Sequence, residues 1–295
     1  MVNQLQAIYK LNIDHIAGKQ DTHNIFLDYD GNLILLTSIK ESGKYYHSIF
    51  HVTEWGVQSI EVPPSKKEFH YAQPLGENWQ LVNARVNDKK AHNAFVYNES
   101  QYLISSFHLG DGIADVQTTK NAEIWVSYFD EGIYGSTIGG SGLLCFDKNG
   151  EVIFDFGKFV RTPSHNEIPF IDDCYSLNVY SNETVYLYYY SDFPLLALHN
   201  KTDYEIFKHK AFDKSPIAGS HAFSIWKGHI LFGHGYSGKG KLHLYSLDKK
   251  TTKSFLPVNE QNEIINYDYA VGRKDKMFLV CENDVYLVDI RDVIE

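Results

Sequence analysis

The amino-acid sequence predicts an all-β protein folded as a six-bladed β-propeller with four-stranded blades. Aromatic residues make up 15% of the 295 residues, with 21 Tyr and 18 Phe, which is typical of β-sheet proteins. Long runs of helix-forming residues at a 3.6-residue period are absent. The chain instead repeats units of about fifty residues, a period found in propeller repeats. We therefore expect residues 1–295 to form a single propeller domain.

The clearest predicted blade begins at Asp111. Its four strands are DGIADVQTT, EIWVSYFD, GLLCFD and EVIFDF, and the turns between them carry Asn and Gly. These two residues accept the left-handed backbone that tight turns require. Four consecutive antiparallel strands in up-and-down order form one propeller blade.

Ring closure is predicted from the last unit, which is one strand short. The four-strand order recurs from Asp173 and His221, whereas the unit from Asp268 has only three strands. Residues Leu5 to Ile13 alternate apolar and polar side chains, which is typical of a half-buried strand. We expect this segment to pair with the strand around Val285 to Ile290, because closure removes an exposed sheet edge.

Aligning the units on their second strands predicts six equivalent positions near the start of each innermost strand. Their separations are 46, 45, 61, 45 and 47 residues. The long interval contains two loops, so six blades are favoured, with seven as the alternative if those loops hide strands. The equivalent positions are Asn24, His70, Asp115, Ser176, His221 and Asp268.

A candidate site follows from these positions, because equivalent residues of a rotational repeat lie on a circle around the central channel. Converging carboxylates and imidazoles can bind a ligand, hold a metal ion or exchange protons. The structural alternative is that Asp at a strand start bonds nearby backbone amides and ties blades together. The candidate ligand-binding residues are Asp115, Asp173, His221, Asp268, His70 and Asn24, and the candidate metal ligands are Asp115, Asp268 and His221.

Several segments resemble a group of uncharacterised bacterial propeller proteins. The resemblance lies in GDGIADVQTT, IWVSYFDEGIYG, GLLCFDKNGEVIFDF and IDDCYSLNV and covers the middle half of the chain. It implies the fold and brings no activity. More distantly, the six-bladed architecture is similar to the gluconolactonase and regucalcin group, whose members hold a divalent metal in the central channel through acidic and amide side chains. Two of the six equivalent positions here are His, so that metal set is not reproduced. The cofactor stays open from the sequence, with a divalent metal as the candidate.

Charge and cysteine usage limit the partners and the compartment. The formal net charge is -10, so the surface repels phosphate backbones, and we expect neither nucleic acid nor a membrane as a partner. The three cysteines are odd in number and widely spaced, which favours a reducing compartment, and we expect the cytoplasm. Cys174 could act as a nucleophile with His221, but a buried, unreactive thiol is the more common role for a free cysteine.

Two classes of function remain open from the sequence. The first is a small-molecule or metal-binding protein that uses the top of the channel, with hydrolase- or lyase-type chemistry if it is an enzyme. The second is a scaffold that presents a propeller face to another protein. A polar pocket with perturbed carboxylates would favour the first, and an exposed apolar patch would favour the second.

Overall fold

A computed structural model describes residues 3–86, 88, 90–135, 138–208, 212, 214 and 216–294. It confirms an all-β, six-bladed propeller, in which each blade is an antiparallel sheet of four strands and the fifth blade carries one additional strand. The innermost strands of neighbouring blades contact one another around the ring. Among the described residues, no helix is long and apolar enough to cross a membrane.

The first three blades use consecutive strands from the innermost to the outermost. Their sheets hold no strand from elsewhere in the chain. Blade 1 comprises β3 (Thr22–Leu27), β4 (Leu33–Glu41), β5 (Lys44–Thr53) and β6 (Gly56–Ser65); blade 2 comprises β7 (Tyr71–Leu75), β8 (Asn78–Val82), β9 (Ala94–Tyr97) and β10 (Leu103–Phe107); blade 3 comprises β11 (Ile113–Thr118), β12 (Ile124–Tyr128), β13 (Leu143–Phe146) and β14 (Val152–Asp155).

The last three blades include two strands from the N-terminal segment, β1 (Asn3–Gln6) and β2 (Ile8–Asn12). Blade 5 takes β1 and blade 6 takes β2 at the outer edge. Blade 4 comprises β15 (Asp173–Val179), β16 (Thr184–Tyr190), β17 (Leu195–His199) and β18 (Asp203–Phe207); blade 5 comprises β19 (Phe223–Trp226), β20 (His229–Phe232), β21 (Leu242–Ser246) and β22 (Thr251–Val258); blade 6 comprises β23 (Tyr269–Arg273), β24 (Lys276–Cys281) and β25 (Asp284–Asp289).

The ring is closed by β2, which pairs antiparallel with β25 and brings Tyr9 opposite Tyr286. The expected pairing of the N-terminal segment with the last strand is therefore confirmed. The sequence did not predict β1, which pairs parallel with β22 and adds a fifth strand to blade 5. The N-terminal segment thus ties blades 5 and 6 together at their outer edges.

The helices of the described residues are short and lie outside the blade sheets. The long interval between the third and fourth units contains helical turns and no additional blade within its described residues, which excludes the seven-blade alternative. The helices are α1 (Ile13–Ala17), α2 (Asp130–Tyr134), α3 (Phe156–Val160) and α4 (Arg291–Ile294), with 3-10 turns at Ile138–Ser141 and Pro163–His165.

The hydrophobic core consists of six clusters, one at each interface between neighbouring blades. Each blade contributes to two of these clusters, because successive side chains of a strand point to opposite faces of the sheet. Strand β16 is an example. Leu187 packs toward blade 3, whereas the adjacent Tyr188 packs toward blade 5. Both faces of a blade are buried, so its middle strands are apolar at nearly every position.

Arg273, at the end of β23, links five of the six blades at the centre of the ring. Its guanidinium is 1% exposed and donates to the carbonyl oxygens of Val179, Leu27 and Thr118, and to Oε1 of Gln73. These acceptors belong to blades 4, 1, 3 and 2. The innermost strands have one edge facing the channel, and Arg273 supplies donors that those backbone groups would otherwise lack.

Candidate functional site

A cavity of about 200 Å³ lies in the central channel, and all six blades contribute to its wall. We call it the channel cavity. Blades 1 and 6 supply mainly apolar lining residues, blade 5 supplies only His221, and most of the polar side chains come from blades 2 to 4. The lining residues are Ile25, Phe26, Leu27, Tyr71, Gln73, Ala114, Asp115, Gln117, Ser127, Cys174, Tyr175, Ser176, Leu177, His221, Ala270, Val271 and Gly272.

Asp115 is the acidic side chain of the channel cavity. It lies where the pairing of β11 with β12 shifts register, and such a bulge redirects the side chain toward the channel. Burial raises the pKa of Asp115 to about 6, although the Gln117 and Val116 hydrogen bonds and the charge of Arg273 oppose the rise. A carboxyl with a pKa close to neutral pH can both donate and accept a proton.

The hydrogen bonds of Asp115 fix its orientation. Its Oδ1 accepts from the backbone N of Val116 at 2.7 Å, and its Oδ2 accepts from Nε2 of Gln117 at 2.9 Å. Gln117 is itself held by blade 4, because it donates to the carbonyl of Leu177 and accepts from the backbone N of Val179. Each carboxylate oxygen has a second lone pair for a ligand.

Cys174 also lines the cavity, but its thiol does not ionise near neutral pH. Burial raises its pKa to about 12, and the nearby charges of Asp115 and Asp173 act in the same direction, while a hydrogen bond with Ser127 opposes them. Nucleophilic attack requires the thiolate. The structure therefore supports the buried-thiol role for this cysteine.

His221 and Tyr175 line the cavity, and Tyr236 packs against Tyr175 beside it. The His221 imidazole stacks on the ring of Tyr175, with centroids 4.6 Å apart and planes 11° from parallel. The hydroxyl groups of Tyr175 and Tyr236 lie 2.5 Å apart. Burial lowers the pKa of His221, so its ring is neutral at physiological pH and can both donate and accept a hydrogen bond.

Asp268 borders a neighbouring pocket of about 300 Å³, which also includes His221, His234 and Tyr236. The Asp268 carboxylate is exposed, and its Oδ2 accepts from the backbone N of Glu282 at 2.9 Å. His221 borders both cavities. The structure thus brings Asp115 and His221 to one cavity and places Asp268 beside it.

Asp173, His70 and Asn24 do not border the channel cavity. Burial raises the pKa of Asp173 to about 6, with repulsion from Asp130 acting in the same direction. His70 accepts a hydrogen bond at Nδ1 from the backbone N of Ala84 at 3.2 Å, and Asn24 lies in the β3–β4 ladder. His70 therefore makes the backbone contact expected from the structural alternative.

The candidate metal ligands do not form a cluster. Across the described residues, no three His, Cys, Asp or Glu side chains group in a way that could hold a metal ion. Asp115 and His221 share the channel cavity, but the third candidate, Asp268, lies in the adjoining pocket. These positions supply one carboxylate and one imidazole to the channel cavity and no third ligand from the predicted set.

Arg273, whose charge acts on Asp115, was not among the residues predicted from the sequence. The signal was a charged residue at the end of an otherwise apolar innermost strand, YAVGR. Such a residue is rarely buried unless its donors are satisfied. Its charge lowers the pKa of Asp115, so it belongs to the electrostatic environment of the cavity.

Comparison with known proteins gives a partial family match and clear fold relatives. A sequence profile described as the YxzG family matches residues 143–288, from β13 to β25. No curated protein matches the chain. Virginiamycin B lyase from Staphylococcus aureus is similar in structure, with 11% identity, a TM-score of 0.52, and coverage of 95% of this chain and 99% of that chain.

A second structural relative is the extracellular domain of a putative hybrid two-component system from B. thetaiotaomicron. It is 8% identical with a TM-score of 0.50, and the alignment covers 98% of this chain and 43% of that chain. At such identities the likeness shows the fold alone. The chain is therefore similar to these proteins in architecture.

Proposed function

We propose that the protein binds a small polar metabolite in the channel cavity and that Asp115 exchanges a proton with it. The observation that carries this proposal is a carboxyl with a pKa of about 6 in a cavity lined by all six blades. Perturbed carboxyls in concave sites are candidates for binding and catalysis. The volume of about 200 Å³ is below the range of roughly 300–1,000 Å³ for drug-sized ligands, so the ligand is a small one.

The cavity supports recognition of a hydroxyl or amino group. Asp115 offers acceptor lone pairs, Ser176 adds a hydroxyl, and His221 adds a neutral imidazole. Apolar side chains such as Ile25 and Val271 complete the wall and fit the carbon skeleton of such a ligand. If the protein is an enzyme, Asp115 acts as the general acid or base of a hydrolase- or lyase-type reaction.

The test is a thermal-shift screen with small amines, polyols and lactones, since ligand binding to the folded state raises the melting temperature. A ligand of the channel cavity should stabilise the wild type and fail to stabilise Asp115→Asn. The matched control is Asp173→Asn, because Asp173 has a similarly raised pKa but does not border the cavity. Hits that survive in Asp115→Asn would contradict the proposal.

A protein-interaction scaffold is the second candidate, and exposed apolar residues at the outer strands of blades 2 and 3 favour it. Tyr102, just before β10, is 71% exposed. Leu103 and Ile104, the first two residues of β10, are 53% and 55% exposed. Val152 and Ile153 are each 45% exposed on the outer strand of the next blade. Contiguous exposed apolar residues mark interaction surfaces. The scaffold is favoured if the screen yields no ligand that depends on Asp115.

A further inference from the structure

A second cavity, of about 130 Å³, opens at the opposite mouth of the central channel. We call it the lower cavity. It is bordered by Thr119 and Lys120 after β11, Ser181 after β15, and Arg273 and Lys274 at the end of β23. The channel cavity lies at the other end of the same strands, so Arg273 separates the two cavities.

Lys274 is a surplus cation in this cavity. It is half-buried, and it makes no ion pair within 4 Å among the ion pairs of the described residues. The two acids that act on it are already engaged, since Asp30 pairs with Lys120 at 2.6 Å and Asp275 pairs with Arg291 at 3.1 Å. Burial and the charge of Arg273 lower the pKa of Lys274, which is the effect of an ammonium group that lacks a counter-ion.

Two neutral side chains of the lower cavity, Ser181 and Thr119, have a hydroxyl hydrogen for a ligand. The Ser181 hydroxyl oxygen accepts from the backbone N of Glu183 and of Thr184, so its hydrogen can be donated to a ligand. Thr119 accepts from the backbone N of Glu123 in the same way. The cavity therefore combines ammonium groups and hydroxyl donors, which is the chemistry of an anion-binding site.

We propose that the lower cavity binds a small oxyanion of the phosphate or carboxylate class through the Lys274 ammonium. The hydroxyls of Ser181 and Thr119 complete its coordination. The site is distinct from the channel cavity, because the buried guanidinium of Arg273 lies between them. The bound anion supplies the counter-charge that Lys274 lacks in the protein.

Isothermal titration calorimetry tests this proposal. The protein is titrated with inorganic phosphate and, separately, with acetate. At least one of the two anions should bind at one site per chain. Lys274→Met should weaken binding at least about tenfold, in line with the loss of one charge-assisted hydrogen bond. The matched control is Lys276→Met. It removes the same charge two residues further along the chain, and Lys276 lines a different groove and not the lower cavity.

Equal affinity in the wild type and Lys274→Met would overturn the proposal, and so would equal losses in both methionine variants. Failure of both anions to bind the wild type would also overturn it. Because Lys274 is not paired, Lys274→Met should melt at or above the wild-type temperature in anion-free buffer. If that variant fails to fold, Lys274→Gln provides the same comparison with a neutral hydrogen-bonding side chain.

Discussion

Two buried histidines should make the free energy of unfolding of the protein depend on pH. His47 in blade 1 and His243 in blade 5 are each 1% exposed, and burial lowers the pKa of both from 6.5 to about 4. His70 adds repulsion at His47. Nε2 of His47 accepts a hydrogen bond from the backbone N of Phe69 at 3.0 Å. Protonation would remove this acceptor and place a charge in the core.

We predict that the free energy of unfolding falls as the pH drops from about 6.5 toward 4. Between these values the unfolded chain binds protons that the folded protein excludes, so acid favours unfolding. His47→Gln keeps a side-chain acceptor and removes the titrating group. It should remove on the order of 2 kcal/mol of this pH dependence. Denaturant unfolding above pH 6.5 and at about pH 4.5 measures the effect.

The control for this variant is His15→Gln, because His15 is exposed at the N-terminal helix α1. It should retain the wild-type slope of stability against pH. An unchanged slope in His47→Gln would contradict the role of the buried imidazole.

At the scale of elements, the N-terminal strands carry the ring closure. Leu11 and Ile13 pack in the cluster between blades 6 and 1, and Leu5 and Ala7 pack in the cluster between blades 5 and 6. Deleting residues 1–13 removes these side chains and exposes the edge of β25. We predict that the deletion lowers the melting temperature by about 10 °C or more and promotes aggregation.

A shorter deletion separates the two strands. Removing residues 1–6 eliminates β1 and leaves β2 in blade 6, so the ring stays closed and the loss of melting temperature should be smaller. Thermal unfolding with light scattering distinguishes the variants. A full deletion that melts at the wild-type temperature would contradict closure by the N-terminal segment.

The strands were predictable where turn chemistry and alternation agree. The blade from Asp111 shows both, and its four strands are observed at β11 to β14. The parallel partner of β1 was not predictable, because a parallel pairing at an outer edge has no turn to signal it. The pairing of β2 was predictable because the last unit visibly lacked a strand.

The candidate site could be predicted less well than the fold, and register is the reason. In blades 3, 4 and 5, the predicted positions Asp115, Ser176 and His221 border the channel cavity. In blade 2, Tyr71 borders it instead of His70, and in blade 1 Ile25 does so instead of Asn24. A slip of one residue turns a strand position to the other face of the sheet. Alignment of units without an exact repeat cannot fix the register to one residue.

At the scale of the whole molecule, five of the six blades converge on Arg273. The sixth blade supplies the guanidinium, and four others supply its acceptors. Blade 5 joins through Asn178, which donates to the carbonyl of Phe223 and accepts from the backbone N of Lys274. This polar network divides the channel into two cavities and holds Asp115 above a fixed positive charge.

This architecture places in the channel a carboxyl, that of Asp115, whose pKa we expect to be about 6. Carbon-13 NMR titration of the side-chain carboxyls of the wild type, Asp115→Asn and Asp173→Asn tests this expectation most directly. We predict that the carboxyls of Asp115 and Asp173 each titrate with a pKa of about 6 in the wild type, and that each signal is lost in the corresponding variant. The account is contradicted if the resonance lost in Asp115→Asn titrates in the wild type at the ordinary aspartate pKa of about 3.9.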